Sequence, residues 1–417
     1  MKMLSRWIPC AVLALLAGCA TPQPASQAVA APPAPVLLIS IDGFRADYLD
    51  RGLSPTLSAL ADDGVRAQAM EPSFPSLTFP NHYTLVTGRY PDRHGIVDNA
   101  MFDPTLGSFT LGNRQAVADG RWWDEAEPIW VTAQKQGLHT ATMFWPGSEA
   151  SIHGVRPDHW LPYDGDMPYD VRVDKLLSWL DLPAAQRPQL LTLYFEAVDT
   201  AGHYHGPDAP ETNAAIGQVD TALARLVAGL KQRGLFDRIN LIVVADHGMA
   251  STPPDQRIFL DDLITPGHAR VVSTGAISGI IPAPGREAEV EAALLKPHPH
   301  MQCWKKAQIP ARLHYGHNPR VPPLFCLART GWLITSNATT MLHHGKAIYG
   351  EHGFDNADPA MRALFLAHGP AFRQHLVVPE FPNVDVYPLL THLLHITAAP
   401  NDGDYRAVEG MLVPAAR

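Results

Sequence analysis

Metal-ligand residue types stand at the ends of the apolar runs of this chain. Val36-Leu37-Leu38-Ile39-Ser40-Ile41 ends at Asp42, and Leu190 to Val198 ends at Asp199 with His203 four residues on. Leu241 to Ala245 ends at Asp246-His247-Gly248, and His352 lies in Tyr349-Gly350-Glu351-His352-Gly353 shortly before the apolar stretch Ala363 to Ala367. Short runs without polar interruption read as strands buried on both faces, and such strands are usually parallel. In an open α/β sheet the chemistry collects at the carboxyl ends of the strands. Carboxylates and imidazoles converging there without thiolates suit zinc or another borderline divalent ion.

The segments between these runs read as helices. Ser54-Pro55 opens one, with a cap residue and a Pro in the first turn, and Gly64 stops it. Glu127-Pro128 opens another that ends before Gly137, and Leu138 to Phe144 reads as a strand. From about Glu211 to Arg233, Ile216, Val219, Leu223, Leu226, Val227 and Leu230 keep the 3.6-residue period, and Gly234 ends the helix. This helix joins the Asp199 strand to the Asp246 strand in a βαβ unit. The expected fold is α/β, a mostly parallel central sheet flanked by helices. Residues from about 250 to 345 lose the rhythm and read as a small inserted subdomain.

The N-terminus reads as a processing signal. Lys2 and Arg6 precede the apolar stretch Ala11 to Leu16, which is too short to span a bilayer. Leu16-Ala17-Gly18-Cys19 resembles a lipoprotein signal-peptidase box, which would make residues 1–19 the leader and lipidated Cys19 the first mature residue. That implies a periplasmic protein tied to the outer membrane, the alternative being plain secretion. Residues 20–34, rich in Ala, Pro, Gln and Ser, read as a flexible tether to a catalytic body over 35–417. Cys10 and Cys19 belong to the leader, and in an oxidising compartment Cys303 and Cys326 most simply form one disulfide. The formal net charge of −9 argues against a nucleic-acid partner. It leaves room for small phosphate substrates, because bound cations reverse a local field.

Pro75 to Gly88, P-S-L-T-F-P-N-H-Y-T-L-V-T-G, places Thr78 just before Pro80 at the start of a helix running to Val86. A hydroxyl there faces free N–H groups and the positive end of the dipole, a setting that favours phosphate. Such a hydroxyl is a weak nucleophile until a base or metal activates it, and taken alone the turn is an ordinary helix cap. Together, T-F-P-N-H-Y-T-L-V-T-G, G-R-Y-P-D-R-H-G-I-V-D-N, F-W-P-G-S, D-T-A-G-H-x-x-G-P, A-D-H-G-M and G-x-H-G-F-D-N resemble the nucleotide pyrophosphatase/phosphodiesterase family. That family belongs to the alkaline phosphatase superfamily, and the resemblance runs from Val36 to about Ile396. It implies two zinc ions per chain. Asp42, Thr78, Asp246 and His247 match the ligands of one; Asp199, His203 and His352 match those of the other. Thr78 matches the nucleophile that becomes covalently phosphorylated, and Asn99 with the backbone N–H of Phe79 matches the pair that holds a phosphate oxygen. Phe79, Leu111, Tyr163 and Tyr194 match a slot that sandwiches a nucleobase. The remaining histidines, His298, His300, His314, His317, His343 and His344, read as loop residues.

The resemblance implies hydrolysis of nucleotide diester and pyrophosphate bonds to 5′-nucleotides, with ATP, dinucleoside polyphosphates and 4-nitrophenyl nucleotide esters as substrates. The rival in the same chemistry is a choline-lysophospholipid phosphodiesterase, against which the aromatic slot argues. A sulfatase would need Cys or Ser in C/S-x-P-x-R, which Ser76-Leu77-Thr78-Phe79 does not supply. A non-catalytic zinc-binding surface lipoprotein would need the ligands but no nucleophile.

Overall fold

The computed structural model describes residues 33–337, 342–343 and 346–414. The leader, Cys19 and His344 lie outside them. Residues from Pro33 onward form one compact unit. Among the described residues no helix is long and apolar enough to cross a membrane.

The central sheet is built from β1 (Val36–Ile41), β2 (Val65–Ala67), β3 (Thr140–Met143), β4 (His159–Trp160), β5 (Leu190–Phe195), β6 (Asn240–Val244), β7 (Phe365–His368) and β8 (Leu376–Val378). Their spatial order is β8-β2-β7-β6-β1-β5-β3-β4. Every residue of β1, β5 and β6 is buried, as apolar runs covered on both faces must be. These three strands are parallel, with Ile41 opposite Phe195 and Ser40 opposite Val244. The register therefore brings the residues that follow each strand to one edge of the sheet. The expectation of parallel strands fails at β7, which runs antiparallel to both β6 and β2. The Ala363 to Ala367 run is apolar because the centre of the sheet buries it, and burial does not encode strand direction.

Two further boundaries shift. β5 stops at Phe195, and Asp199 lies on α3 (Ala197–His205), whose first turn contains it, so the reading of a strand running to Val198 was too long. The predicted strand Leu138 to Phe144 is trimmed to β3. Asp199 and His203 thus share one helix face, at the i,i+4 spacing.

α1 (Pro55–Asp63), α2 (Thr78–Thr87) and α4 (Pro210–Gln232) form where the sequence places them. α4 buries Ile216, Val219, Leu223, Leu226 and Leu230 and carries the chain from β5 to β6, across β1. It also replaces the expected cap of α1. Ser54 makes no capping bond, whereas the buried Asp220 accepts the Thr56 and Leu57 N–H groups at 3.0 and 2.9 Å. A carboxylate there satisfies two orphan donors and complements the helix dipole.

Residues 269–328 add a four-stranded antiparallel sheet, ordered Ala269–Val271, Ile277–Pro282, Leu324–Ala328, Met301–Lys305. It has its own apolar core around Ile280, Val290, Leu324 and Ile334. Cys303 and Cys326 face each other across its last two strands and are joined by the expected disulfide. The half-cystines are 23 residues apart, and closing such a loop stabilises by about 3 kcal/mol in the chain-entropy model. Thiol titration of the denatured, unreduced protein should find neither cysteine free. Reduction should lower the melting temperature more than it lowers activity, because the bridge staples the small sheet and touches none of the predicted ligands. Two reactive thiols would show that the bridge does not form.

Candidate active site

The turn ahead of α2 is fixed by one buried side chain. Asn81 donates to the carbonyls of Pro75 and Leu77 at 2.9 Å each and accepts the Ser73 N–H at 2.8 Å. Leu77 is extended, so Thr78 becomes the first helical residue, at the positive end of the α2 dipole. Its Oγ1 lies 3.3 Å from His247 Nε2.

Around this hydroxyl the sheet edge assembles two groups, Asp42 with Asp246 and His247, and Asp199 with His203 and His352. In each, one donor atom per residue lies within 4.8 Å of the others. The groups adjoin: the His247 and His352 rings stack at 3.5 Å between centroids. Gly43 permits this closeness. Its φ is +67°, and a Cβ there would come within 2.9 Å of the Asp199 Cα. Its N–H also donates to Asp246 Oδ1 at 3.1 Å.

The donor set fits divalent cations. All three histidines commit Nδ1 to a backbone carbonyl, His203 to Gly350 at 3.0 Å, His247 to Gly248 and His352 to Ser76 at 2.9 Å each. That fixes the tautomer with a proton on Nδ1 and leaves each Nε2 lone pair turned toward the carboxylates, as a metal-binding imidazole requires. Opposite them, Asp42 Oδ1, Asp199 Oδ1 and Asp246 Oδ2 are buried with no hydrogen-bond partner. Buried carboxylate oxygens left bare are costly unless something binds them. Carboxylate, imidazole and hydroxyl ligands without thiolate match zinc.

The electrostatics point the same way. Burial, together with Asp246 and Asp199, pushes the Asp42 carboxyl well above its usual range, because three carboxylates crowd a space short of positive charge. Burial opposes charging His203, but Asp199 and Glu351 overcome it and lift the imidazole to about 10. A positive charge is favoured where its Nε2 faces Asp199, 3.4 Å away.

One cleft of about 600 Å³ contains Thr78, both groups' Asp42, Asp199, His203 and His352, and all four predicted slot residues. Leu111 and Tyr163 stand exposed at its rim, 46% and 37% accessible, which for large apolar side chains marks a contact surface. Phe79 packs edge-on to Phe109 at 6.0 Å. Tyr194 differs from the other three. It is buried, and its hydroxyl donates to Asp42 Oδ2 at 2.5 Å, so it orients a metal-ligand candidate while its ring supports Tyr163 at 6.1 Å. Asn99 accepts the Phe79 N–H at 2.9 Å, so the two groups expected to share a phosphate oxygen are already neighbours.

Among the described residues, the histidines read as loop residues make their contacts elsewhere. His300 stacks on Trp332, His314 on Tyr90, and His317 reaches Asp92. His343 lies in a two-residue strand, not a loop.

Reading the sequence missed His82 and Glu351. His82 is fully buried, with Nε2 2.8 Å from Ser40 Oγ and Nδ1 2.9 Å from the Thr78 carbonyl and 3.3 Å from Asp246 Oδ2. It ties the turn that carries Thr78 to Asp246. Its spacing, four residues beyond Thr78 on a recognised helix, was the available signal. Glu351 adjoins His352 and carried no periodic signal.

Known proteins place these features in one lineage. The family model described as type I phosphodiesterase / nucleotide pyrophosphatase matches residues 36–355. An uncharacterized pyrophosphatase/phosphodiesterase of Schizosaccharomyces pombe is 40% identical over 385 residues, covering 89% of this chain and 79% of its own. Human ectonucleotide pyrophosphatase/phosphodiesterase family member 5 is 38% identical over 379 residues, 90% of this chain and 78% of its own. Among solved structures, murine ectonucleotide pyrophosphatase/phosphodiesterase 5, as an inactive threonine-to-alanine variant in complex with AMP, superposes with a TM-score of 0.86 at 38% identity. It covers 91% of this chain and all of that one. With the fold, the paired ligand groups and these likenesses in hand, the chain belongs to the type I phosphodiesterase / nucleotide pyrophosphatase family of the alkaline phosphatase superfamily, and it is a hydrolase.

Proposed function

We propose that this chain is an exported, two-zinc enzyme that cleaves nucleotide diester and pyrophosphate bonds and releases 5′-nucleotides through a covalent nucleotidyl intermediate on Thr78. The observation that carries this is the Thr78 hydroxyl at the open end of α2, 3.3 Å from His247 Nε2 and beside two groups of bare carboxylate oxygens. Asp42, Thr78, Asp246 and His247 would hold one zinc, and Asp199, His203 and His352 the other. When bound, the pair lowers the pKa of the attacking hydroxyl and neutralises the departing oxygen. Thr78 Oγ1 gives up its proton to solvent and forms a bond to phosphorus as the bond to the leaving oxygen breaks. Water then breaks the Thr78–phosphorus link, takes the phosphoryl group as a 5′-nucleotide, and returns a proton to Thr78. Asn99 and the Phe79 N–H stabilise the charge that develops on a phosphoryl oxygen, helped by the α2 N-terminus. Phe79, Leu111, Tyr163 and Tyr194 face a nucleobase. The AMP complex of an inactive threonine-to-alanine relative supports both the nucleophile and the nucleotide. The lipoprotein box at Cys19 supports export with a lipid anchor, and the relatives named ectonucleotide enzymes are consistent with it.

Thr78→Ala should lower turnover about a thousandfold or more while the protein stays folded and keeps zinc, since a covalent nucleophile costs far more to lose than a helix-end hydroxyl. Near-normal turnover in the folded variant would sink the assignment.

Metal analysis should separate the two groups. Asp199→Asn or His352→Ala is expected to deplete one zinc, and Asp42→Asn or Asp246→Asn the other, with a chelator abolishing activity of the parent. Two full equivalents of zinc in all four variants would refute the grouping.

Tyr163→Ala should lower kcat/KM for nucleotides about five- to a hundredfold, the size of one lost stacking contact, and spare bis-4-nitrophenyl phosphate, which has no base. Equal losses on both would make Tyr163 structural. Preference for a choline lysophospholipid over every nucleotide would replace the substrate class.

A further inference from the structure

Among the described residues that line the cleft, Arg114 is the only Lys or Arg. It opens the short helix Arg114–Val117, three residues beyond Leu111, so one stretch of rim carries both side chains. Glu149 holds it in place. One oxygen of that carboxylate pairs with the guanidinium, and the other accepts the Tyr163 N–H at 2.9 Å. Glu149 is itself buried, and its carbonyl accepts the Arg156 Nε–H at 3.0 Å. Arg114, Glu149 and Tyr163 are thus tied into one unit.

The Arg114 guanidinium stands 5.9 Å from the centroid of the Tyr163 ring. Offset-stacked rings place their centroids ~4.5–7 Å apart, so a base lying on Tyr163 brings an edge to that guanidinium. Nη2 is given to Glu149, while Nε and Nη1 bond to no other described residue. Paired with a carboxylate, the group adds no net charge to draw in a phosphate, but its remaining donors stay available. What they can read follows from their chemistry. Arginine donates through five N–H groups and accepts nothing. Guanine offers two acceptors on one edge, O6 and N7, whereas adenine offers N7 beside an N6 amino donor. A fork of donors satisfies both guanine atoms; against adenine it satisfies one and meets the amino group donor to donor.

Resting on the base slot proposed above, we propose that Arg114 makes this cleft prefer guanine nucleotides to adenine nucleotides, its guanidinium donating to O6 and N7 of the base on Tyr163. Glu149 positions the fork. The aromatic slot supplies stacking, which tolerates any base, and Arg114 supplies the choice among bases.

The 4-nitrophenyl esters of GMP and AMP share a leaving group, so comparing them isolates the base. The parent enzyme should favour the guanosine ester about tenfold in kcat/KM, the scale of one bidentate base contact. Arg114→Met keeps the apolar stem, removes the donors, and should bring the ratio close to unity. An Arg114 that served only to brace Tyr163 through Glu149 would lower both esters alike and leave the ratio unmoved. In the parent itself, the 7-deazaguanosine ester, which lacks N7, should fall toward the adenosine ester, an arm that requires no variant. Calorimetric titration of Thr78→Ala should find GMP bound about tenfold tighter than AMP, a difference lost when Arg114→Met is added. Equal parent kcat/KM for the two esters, an unmoved ratio in folded Arg114→Met, or undiminished turnover of the deaza ester overturns the proposal. If the parent cleaved neither ester, the phosphodiesterase reading would fail instead, and equal GMP and AMP affinities in the titration would still overturn the role of Arg114.

Discussion

Three carboxylates held in one small space, away from water, set the terms for the rest of this molecule. Asp42, Asp199 and Asp246 each leave one buried oxygen without a hydrogen-bond partner. Isolated buried charge of this kind is not tolerated without compensation, and a protein that keeps it must spend the rest of its architecture holding the compensating groups in place. The groups held in place here are three imidazoles, each with Nδ1 tied to a main-chain carbonyl and Nε2 turned to the same space, so that carboxylates and imidazoles together suit a cation. The main chain therefore aims the ligand atoms, and the sheet and α3 aim the main chain.

The layered fold makes that aiming rigid. β5, β1 and β6 end level with one another because they are parallel and in register. α3 then leans in until Asp199 touches the turn after β1, an approach only a glycine at position 43 admits. His82 and Tyr194 form a second layer, one beside Asp246 and the other donating to Asp42. Outer partners of this kind orient first-layer ligands and tune their basicity. Both packed side chains are also parts of the hydrophobic interior, so the site and the core are stabilised together.

Specificity, in contrast, is built from pieces far apart in the chain. The side proposed to hold the base comes from the turn at Phe79, the rim at Leu111 and the loop at Tyr163. The same cleft is also lined by residues 272–277 and Glu351, on and beside the small antiparallel sheet. That division follows from α/β architecture, where the strands fix the chemistry and the loops beyond them choose the substrate.

The sequence by itself determined the elements that local patterns can encode. The apolar runs before Asp42 and Asp246 could only be buried strands, the period of α4 could only be a helix, and Pro80 with Thr78 marked the start of α2. The ligand types at the strand ends, joined by the motif resemblance, brought together the seven candidate ligands that the structure places side by side. Other features were decided by tertiary structure. Nothing in Phe365–His368 states that it runs antiparallel, because burial fixes hydrophobicity and not direction. Ser54 has the look of a cap, yet Asp220, more than 160 residues away, performs the capping. Tyr194 lines the cleft with the other slot residues and also sets its hydroxyl on Asp42, and His82 and Glu351 read as ordinary polar residues until folding sets them against the candidate ligands. Each of these depends on contacts between distant segments, and such contacts leave no periodic trace in the chain.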